Sequence, residues 1–448
     1  MNELHKAEIS REKKVLSGRK RVLFNLLLIA IPFVLFIFFE LGLRTAKYGV
    51  DLSLFVESDV YPGYQIINQN INLRYFSKVG KTSPTSDIFL TEKPDTCFRI
   101  FVIGESTTRG FPYQAGTSFP RILYYRLQDA FPHKRIEVIN LSASALTSYS
   151  AIDMLDEVLD NKPDAILYYG GHNEYYGALG VASVENGGNF RWMKNARLKL
   201  NHLRTFQLTR NFLSKFSTQS SKRKPEEQAT LMERIVKDKE IAYNSPKYKK
   251  GVQQFNRNIE EFVKRAKSKN VPIIISELVN NVKDLHPFKS VDANGSTNAS
   301  AIYAEAQTKE AQGNYAEAKS LYYKAKDLDA IRFRSPEAMN EVIYSISKKY
   351  NVPVVPMKKY FEKESPNELI GDNIMIDHLH PTYYGYFVMA DAFFNTIREN
   401  KIISANWDNP RIQPSSYYSN NWGFTELDSL IGDLNIKYLK NGWPFKPE

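Results

Sequence analysis

The chain has 448 residues, 43% hydrophobic and 13% aromatic, a composition that supports a sizeable core and excludes a disordered polypeptide. Its one cysteine, Cys97, excludes an internal disulfide and a thiolate metal cluster and reads as a packing residue at a strand edge. The formal net charge of +11 gathers at the N-terminus and in residues 191–224, and nucleic acid is excluded as its partner because the second of these stretches is expected outside the cytoplasm.

From Val22 to Phe39 the sequence is VLFNLLLIAIPFVLFIFF, about as long an apolar run as a bilayer core requires, so residues 22–43 are expected to form one transmembrane helix. Lys6, Arg11, Lys13, Lys14, Arg19, Lys20 and Arg21 precede it, against Arg44 and Lys47 beyond. This bias keeps residues 1–21 cytoplasmic and puts the remainder on the periplasmic or extracellular side of a single-pass protein. A cleaved signal peptide is the competing reading, but its apolar region is normally shorter and ends in a small-x-small site, which Phe38–Arg44 lacks. Asn25 and Glu40, near the ends of the run, read as interfacial. Residues 44–97 form a juxtamembrane segment in which only Asn70–Phe76 has strand character.

Phe98–Gly104 is an apolar β-branched run that stops at a small polar turn, the pattern of a buried parallel strand. A helix over Ser118–Phe131, a strand over Arg135–Asn140, a helix over Ser148–Asp160 and a strand over Asp164–Gly170 follow, an alternation that means βαβ units and a parallel sheet. Residues 185–250 interrupt it. Between Arg191 and Lys224 basic residues alternate with Trp192, Leu200, Phe206, Phe212 and Leu213 with no acidic residue among them. That pattern suits an anionic membrane surface, a polyanionic substrate or a helical cap whose charges are simply solvated. A helix over Val252–Lys269 and a strand over Pro272–Ser276 resume the alternation before a second insertion, residues 297–330. A helix over Pro336–Tyr350, a strand over Val352–Met357 and a helix over Tyr383–Arg398 complete the predicted domain, residues 98–398, and an aromatic extension, 399–448, ends the chain.

Three short blocks carry the chemistry. Gly104-Glu105-Ser106 lifts a hydroxyl above the end of the first strand, where open α/β sheets keep their active sites. A serine needs a base, a carboxylate behind it and donors for an oxyanion, and the chain offers Gly171-His172-Asn173-Glu174 and Asp377-His378-Leu379-His380-Pro381. Singly, Ser106 reads as a helix N-cap, Asn173 as a turn residue and Asp377 with His380 as a capping pair. Together and in this order the blocks resemble the SGNH (GDSL-type) hydrolases. The resemblance implies a three-layer α/β/α flavodoxin-like fold, with Ser106 as nucleophile, His380 as base and Asp377 as its partner. It implies oxyanion donors from the N–H of Ser106, the N–H of Ala145 and the amide of Asn173. Two positions depart from the pattern: Glu105 stands for the family's Asp, and Ala145 for a glycine.

His172 and His378 read as pocket walls and substrate-binding candidates, and a metal set with His380 is the alternative. Arg332, Arg334 and Asn280 read either as solvent-exposed or structural residues, the expected role of each, or as side chains of loops that approach the site from the insertion side. Gly313-Asn-Tyr315-x-x-Ala318-x-x-x-Tyr322-x-x-Ala325 resembles the second helix of a tetratricopeptide repeat, so residues 297–330 are expected to form a helical hairpin that docks on the hydrolase and offers a surface for a protein partner. No cofactor and no metal are expected. The resemblance implies a membrane-anchored serine esterase acting on acyl esters, acetyl esters among them, of an envelope carbohydrate or lipid. An O-acyltransferase acting on envelope glycans and a degenerate hydrolase kept as a scaffold remain open alternatives.

Overall fold

The computed structural model describes residues 18–76, 84–217, 230–291, 298–407 and 411–446; Lys6, Arg11, Lys13, Lys14 and residues 218–229 of the basic insertion lie outside these. The chain begins with helix α1 (Gly18–Thr45) and strands β1 (Phe55–Glu57), β2 (Tyr64–Ile67) and β3 (Ile88–Leu90), then β4 (Cys97–Gly104) running into the short α2 (Ser106–Arg109). Next come α3 (Phe119–Ala130), β5 (Arg135–Asn140), α4 (Ser148–Asp160) and β6 (Ala165–Tyr169), then α5 (Arg191–Leu200), α6 (Arg204–Ser217), α7 (Leu231–Ile235) and α8 (Pro246–Ser268). After β7 (Ile273–Ser276) come α9 (Ala299–Ala311), α10 (Tyr315–Leu328), α11 (Glu337–Tyr350), β8 (Val354–Val355) and α12 (Met357–Lys363). The last helices are α13 (Tyr383–Glu399), α14 (Ser415–Asn420) and α15 (Glu426–Lys440). The chain divides into two units, Met1–Asp51 with Leu200–Ser221, and Leu52–Lys199 with Lys222–Glu448.

The second unit is built on a five-stranded parallel sheet in the order β5-β4-β6-β7-β8. Counted along the chain this is 2-1-3-4-5, the doubly wound order that leaves a crevice outside the carboxyl ends of its strands. Every residue of β6, and all of β4 but Phe98, is buried, which is why both strands read as continuous apolar runs and not as alternating ones. Helix α3 packs with α13, where Phe119 and Phe393 stack at 4.6 Å, and α4 and α11 pack with α8. These two helical layers flank the sheet.

The predicted helices and strands recur with most ends within two residues, α8 starting six residues earlier than expected at Pro246 after its cap Ser245, and with two corrections. Asn70–Phe76 is a buried 3₁₀ turn over Ile71–Arg74, not a strand. Adjacent Arg74 and Tyr75 both reach Asp153, at 3.1 and 2.8 Å, which the alternating sides of a strand forbid. The predicted strand over Val352–Met357 shrinks to Val354–Val355, because Pro353 and Pro356 bracket it and lack the N–H a ladder needs. A three-stranded antiparallel sheet, β1-β2-β3, was not legible, each of its strands being only three or four residues long. It packs on β4 through Phe55 and Phe89, whose rings lie 5.6 and 5.5 Å from Phe101.

Helices α9 and α10 form a hairpin turned at Gly313, whose φ of 79° an L side chain would resist. Buried Ala306, Ala318 and Ala325 let the two helices close. The hairpin is fastened to the body by Lys326 Nζ, which donates to Ser335 O at 2.7 Å and pairs with Glu337 at 2.9 Å. The aromatic residues of the extension are packed: Trp407 meets Phe131 at 4.7 Å, and Tyr418 Oη donates to Asp129 at 2.7 Å.

One guanidinium joins the two sheets. Buried Arg99 donates from Nε to Glu137 Oε2 at 2.7 Å, from Nη1 to Asn161 O at 2.9 Å and from Nη2 to Leu90 O at 2.6 Å. Removing it leaves Glu137 as a buried charge without its main partner. Arg99→Ala is therefore expected to cost about 3–5 kcal/mol in urea unfolding, and Glu137→Ala added to it should cost less than the sum of the single changes.

Candidate active site

Four chain segments meet at the carboxyl ends of the parallel strands. Gly104 ends β4 where an added Cβ would collide with Thr108 Oγ1 and the Tyr169 carbonyl, so only glycine lets the two strand ends close. Ser106 then begins α2, half-buried, with its N–H among the first-turn donors that a helix cannot satisfy internally. Ala145 follows β5, Asn173 follows β6, and Asp377–His380 lie on the loop before α13. That loop is pinned by Ile376 N donating to His380 O at 2.9 Å and Thr382 N to Ile374 O at 2.9 Å.

His380 Nε2 lies 2.8 Å from Ser106 Oγ, and His380 Nδ1 lies 2.7 Å from Asp377 Oδ2. Asp377 also shapes its own loop: Oδ1 accepts from Leu379 N at 2.9 Å and His380 N at 2.8 Å. Burial raises the Asp377 carboxyl, but His380 and His378 beside it hold it well below the usual carboxylate range. The series carboxylate, imidazole, hydroxyl is thus hydrogen-bonded from end to end, with the Phe111 ring 4.5 Å from the His380 ring.

Of the three expected oxyanion donors, Ala145 has φ 59°, the left-handed conformation that favours glycine. An alanine holds it here at a backbone cost of about 1–2 kcal/mol. Asn173 Nδ2 donates one hydrogen to Glu105 Oε2 at 3.0 Å, and its second hydrogen has no partner among the described residues. Glu105, beside Ser106, also accepts from Gly171 N at 2.8 Å and Asn173 N at 3.2 Å. Burial pushes its carboxyl up to about 8 despite these donors. This fastening was missed in the sequence, where Glu105 figured only as a departure from Asp; its one signal was a carboxylate next to the serine. Glu174, also passed over, is buried and accepts from Ser148 N, Ser148 Oγ and Gln254 Nε2, which ties the same turn to α4 and α8.

The other candidates surround this geometry. His172 is buried with Nε2 3.2 Å from Tyr169 Oη and Nδ1 unpartnered, and His378 is buried between Phe333 at 5.3 Å and Phe445 at 5.6 Å. Burial lowers both imidazoles from their usual range, so each is neutral at pH 7. Asp377, His378 and His380 hold their ligand atoms within 4.8 Å of one another, the one grouping of metal-ligating type among the described residues. Both ring nitrogens of His380 face Asp377 and Ser106, so a metal there would have to break that series. Arg332 donates to Ile241 O at 2.9 Å and lies over Tyr248, while Arg334 donates to Asn281 O and Leu285 O and pairs with Asp329 at 3.2 Å. Asn280 donates to Ser335. These three brace the loops behind the site. A cavity of about 600 Å³ between α3 and the C-terminal helices is lined by Arg121, Tyr125, Asp129, Tyr418 and Trp422 and by none of the candidate site residues. Its side chains bond one another and nearby backbone, as Tyr418 does Asp129 and Trp422 does Gly116 O.

Residues 242–393 match the family of GDSL-like lipases/acylhydrolases, a stretch that contains Asp377 and His380 and begins after Ser106, Ala145 and Asn173. No curated protein matches the chain. Among solved structures it is similar to a lipase/acylhydrolase from Enterococcus faecalis, 15% identical, over 68% of this chain and 96% of that one, with a TM-score of 0.34. It is similar to a GDSL-like lipase from Bacteroides thetaiotaomicron, 13% identical over 70% and 93%, TM-score 0.34. An acetylxylan esterase from Geobacillus stearothermophilus is 15% identical over 69% and 95%, TM-score 0.34. Over residues 242–393 the chain is thus similar to the GDSL-like lipases/acylhydrolases, a match that makes it an ester-hydrolysing enzyme.

Proposed function

We propose that this enzyme is a membrane-anchored serine esterase that cleaves acyl esters of a carbohydrate or lipid on the outer side of the membrane, with Ser106, His380 and Asp377 as its catalytic residues. The observation that carries the reading is the pair of contacts at His380, 2.8 Å to Ser106 Oγ and 2.7 Å to Asp377 Oδ2. Anchoring is supported by α1, whose 28 residues hold an apolar stretch long enough to cross a bilayer. The lysine and arginine excess before it favours an extracytoplasmic catalytic domain.

Ser106 Oγ attacks the ester carbonyl carbon as His380 Nε2 takes its proton, and Asp377 stabilises the imidazolium and keeps Nδ1 protonated. The carbonyl π pair moves onto oxygen, where the N–H groups of Ser106 and Ala145 and the free hydrogen of the Asn173 amide receive it. When the tetrahedral species collapses, His380 returns the proton to the leaving alcohol, and Ser106 holds the acyl group. Water, deprotonated by His380, then attacks the acyl carbon, and as the second tetrahedral species collapses His380 returns the proton to Ser106 Oγ and the acid leaves. The part of Glu105 is to aim Asn173: by bonding both its N–H and its amide, the carboxyl fixes one donor relative to the serine next door.

A graded series tests these roles on p-nitrophenyl acetate. Ser106→Ala should abolish turnover and labelling by a fluorophosphonate, and His380→Ala should be nearly as severe. Asp377→Asn should lower kcat up to about 10⁴-fold through the wrong tautomer. Asn173→Ala should lower kcat about 10²- to 10³-fold with little change in KM. His378→Ala should cost far less than His380→Ala; the reverse order would overturn the assignment.

Glu105 supplies a pH test. Its folded value of about 8 lies above the 4.5 of a free carboxyl, so the stability that its bound proton contributes is full below about pH 4.5 and lost as pH rises through about 8. Over that window the wild type should lose up to about 1.4 kcal/mol per pH unit, and Glu105→Gln, which cannot ionise, should lose less; denaturant titrations at pH 5 and pH 8 measure the difference.

A further inference from the structure

The unit formed by Met1–Asp51 and Leu200–Ser221 joins the apolar helix α1 to helix α6 of the basic insertion, although they are about 160 residues apart in sequence. The fastening is Glu40, a buried carboxylate at the end of the apolar run. Its Oε1 accepts from Arg204 N at 2.9 Å, and its Oε2 from Thr205 N and Thr205 Oγ1, both at 2.8 Å. Arg44 Nε donates to the same carboxylate at 2.8 Å, and Arg44 Nη2 reaches His202 O at 3.1 Å. The unsatisfied first-turn N–H groups of α6 and the charge of Glu40 thus cancel one another. Within the next turn Gln207 exchanges both its amide groups with the backbone of Val50 at 3.0 and 3.1 Å, and one turn beyond it Asn211 Nδ2 donates to Tyr48 Oη at 3.3 Å. Helix α6 is therefore held from Arg204 to Asn211 against residues 40–50.

That attachment fixes its depth. From Val22 to Glu40 an α-helix rises about 27 Å, close to the roughly 30 Å of a hydrocarbon core, so Glu40 falls at the far boundary of the bilayer that α1 crosses. Within α6, Arg204, Gln207 and Asn211 share the face turned to residues 40–50, while Phe212 and Leu213 are 59% and 61% exposed. Two adjacent large apolar side chains held out from a helix at a membrane boundary have acyl chains as their natural neighbours.

We propose that α6 is an interfacial helix lying in the outer boundary of the lipid bilayer, with Phe212 and Leu213 in the acyl layer and Glu40 as its clasp to the span. The proposal rests on the reading of α1 as a membrane span, and the test separates the two. Full-length protein carrying Cys97→Ala, with Phe212→Cys, Leu213→Cys or Ile31→Cys labelled by an environment-sensitive nitrobenzoxadiazole, is reconstituted in phosphatidylcholine vesicles containing lipids spin-labelled near the top of the acyl chain or at its end. The labels at 212 and 213 should be quenched more strongly by the shallow spin label than by the deep one, and the label at 31 more strongly by the deep one. Adding Glu40→Ala should remove the quenching at 212 and 213 and leave that at 31. Quenching at 31 with none at 212 or 213 would overturn the interfacial helix and keep the span; no quenching at any position would overturn the span itself. Full quenching at 212 retained in Glu40→Ala would overturn the clasp.

Discussion

The site depends on the side chain of Glu105. It extends from the end of β4 and accepts from Gly171 N, Asn173 N and Asn173 Nδ2, so the turn after β6 is bonded to the turn after β4 by three hydrogens on one carboxyl. The strands are already in register, Gly104 facing Tyr169, but a ladder ends where its backbone partners end. Beyond that point only side chains can hold two loops at a fixed distance, and Glu105 does so one residue from Ser106. Burial makes the arrangement expensive for a charge, hence the carboxyl's rise to about 8.

The loop behind the histidines is built on the same rule. Asn281 N donates to His378 O at 3.1 Å, and Arg334 Nη1 donates to Asn281 O at 3.0 Å while its Nη2 pairs with Asp329. Asp329 follows α10, so the helical hairpin bears on the position of the Asp377–His380 loop through three buried links. The hairpin's hydrogen bonds to the body accordingly do more than cover an apolar face.

Much of this is legible in the sequence. The apolar runs of β4 and β6 and the helix α4 between them follow from the sequence pattern, because buried parallel strands and amphipathic helices leave patterns several residues long. Ser106, Asp377 and His380 stand in short blocks of a set order, and the fold brings all three into contact. Invisible were features that depend on partners distant in sequence: the small sheet of β1–β3, the buried turn at Arg74, and Phe445 against His378. A three-residue strand has no period, and nothing near Phe445 in the chain marks the histidine that it meets.

The two histidines of Asp377-His378-Leu379-His380 show why residue type alone does not assign a role. Both rings touch the same carboxylate, yet they meet different oxygens in different ways. Asp377 Oδ1 is already committed to two backbone N–H groups, and His378 Nδ1 stands 3.2 Å from it without the alignment of a hydrogen bond. Oδ2 is left for His380, three residues on, which approaches at 2.7 Å because the turn that Oδ1 stabilises carries the chain back over the aspartate. The carboxylate that orients the imidazole therefore also makes the turn that delivers it. With His378 facing Phe333 and Phe445 and His380 facing Ser106, the spacing of three residues, and not the number of histidines, selects the proposed base.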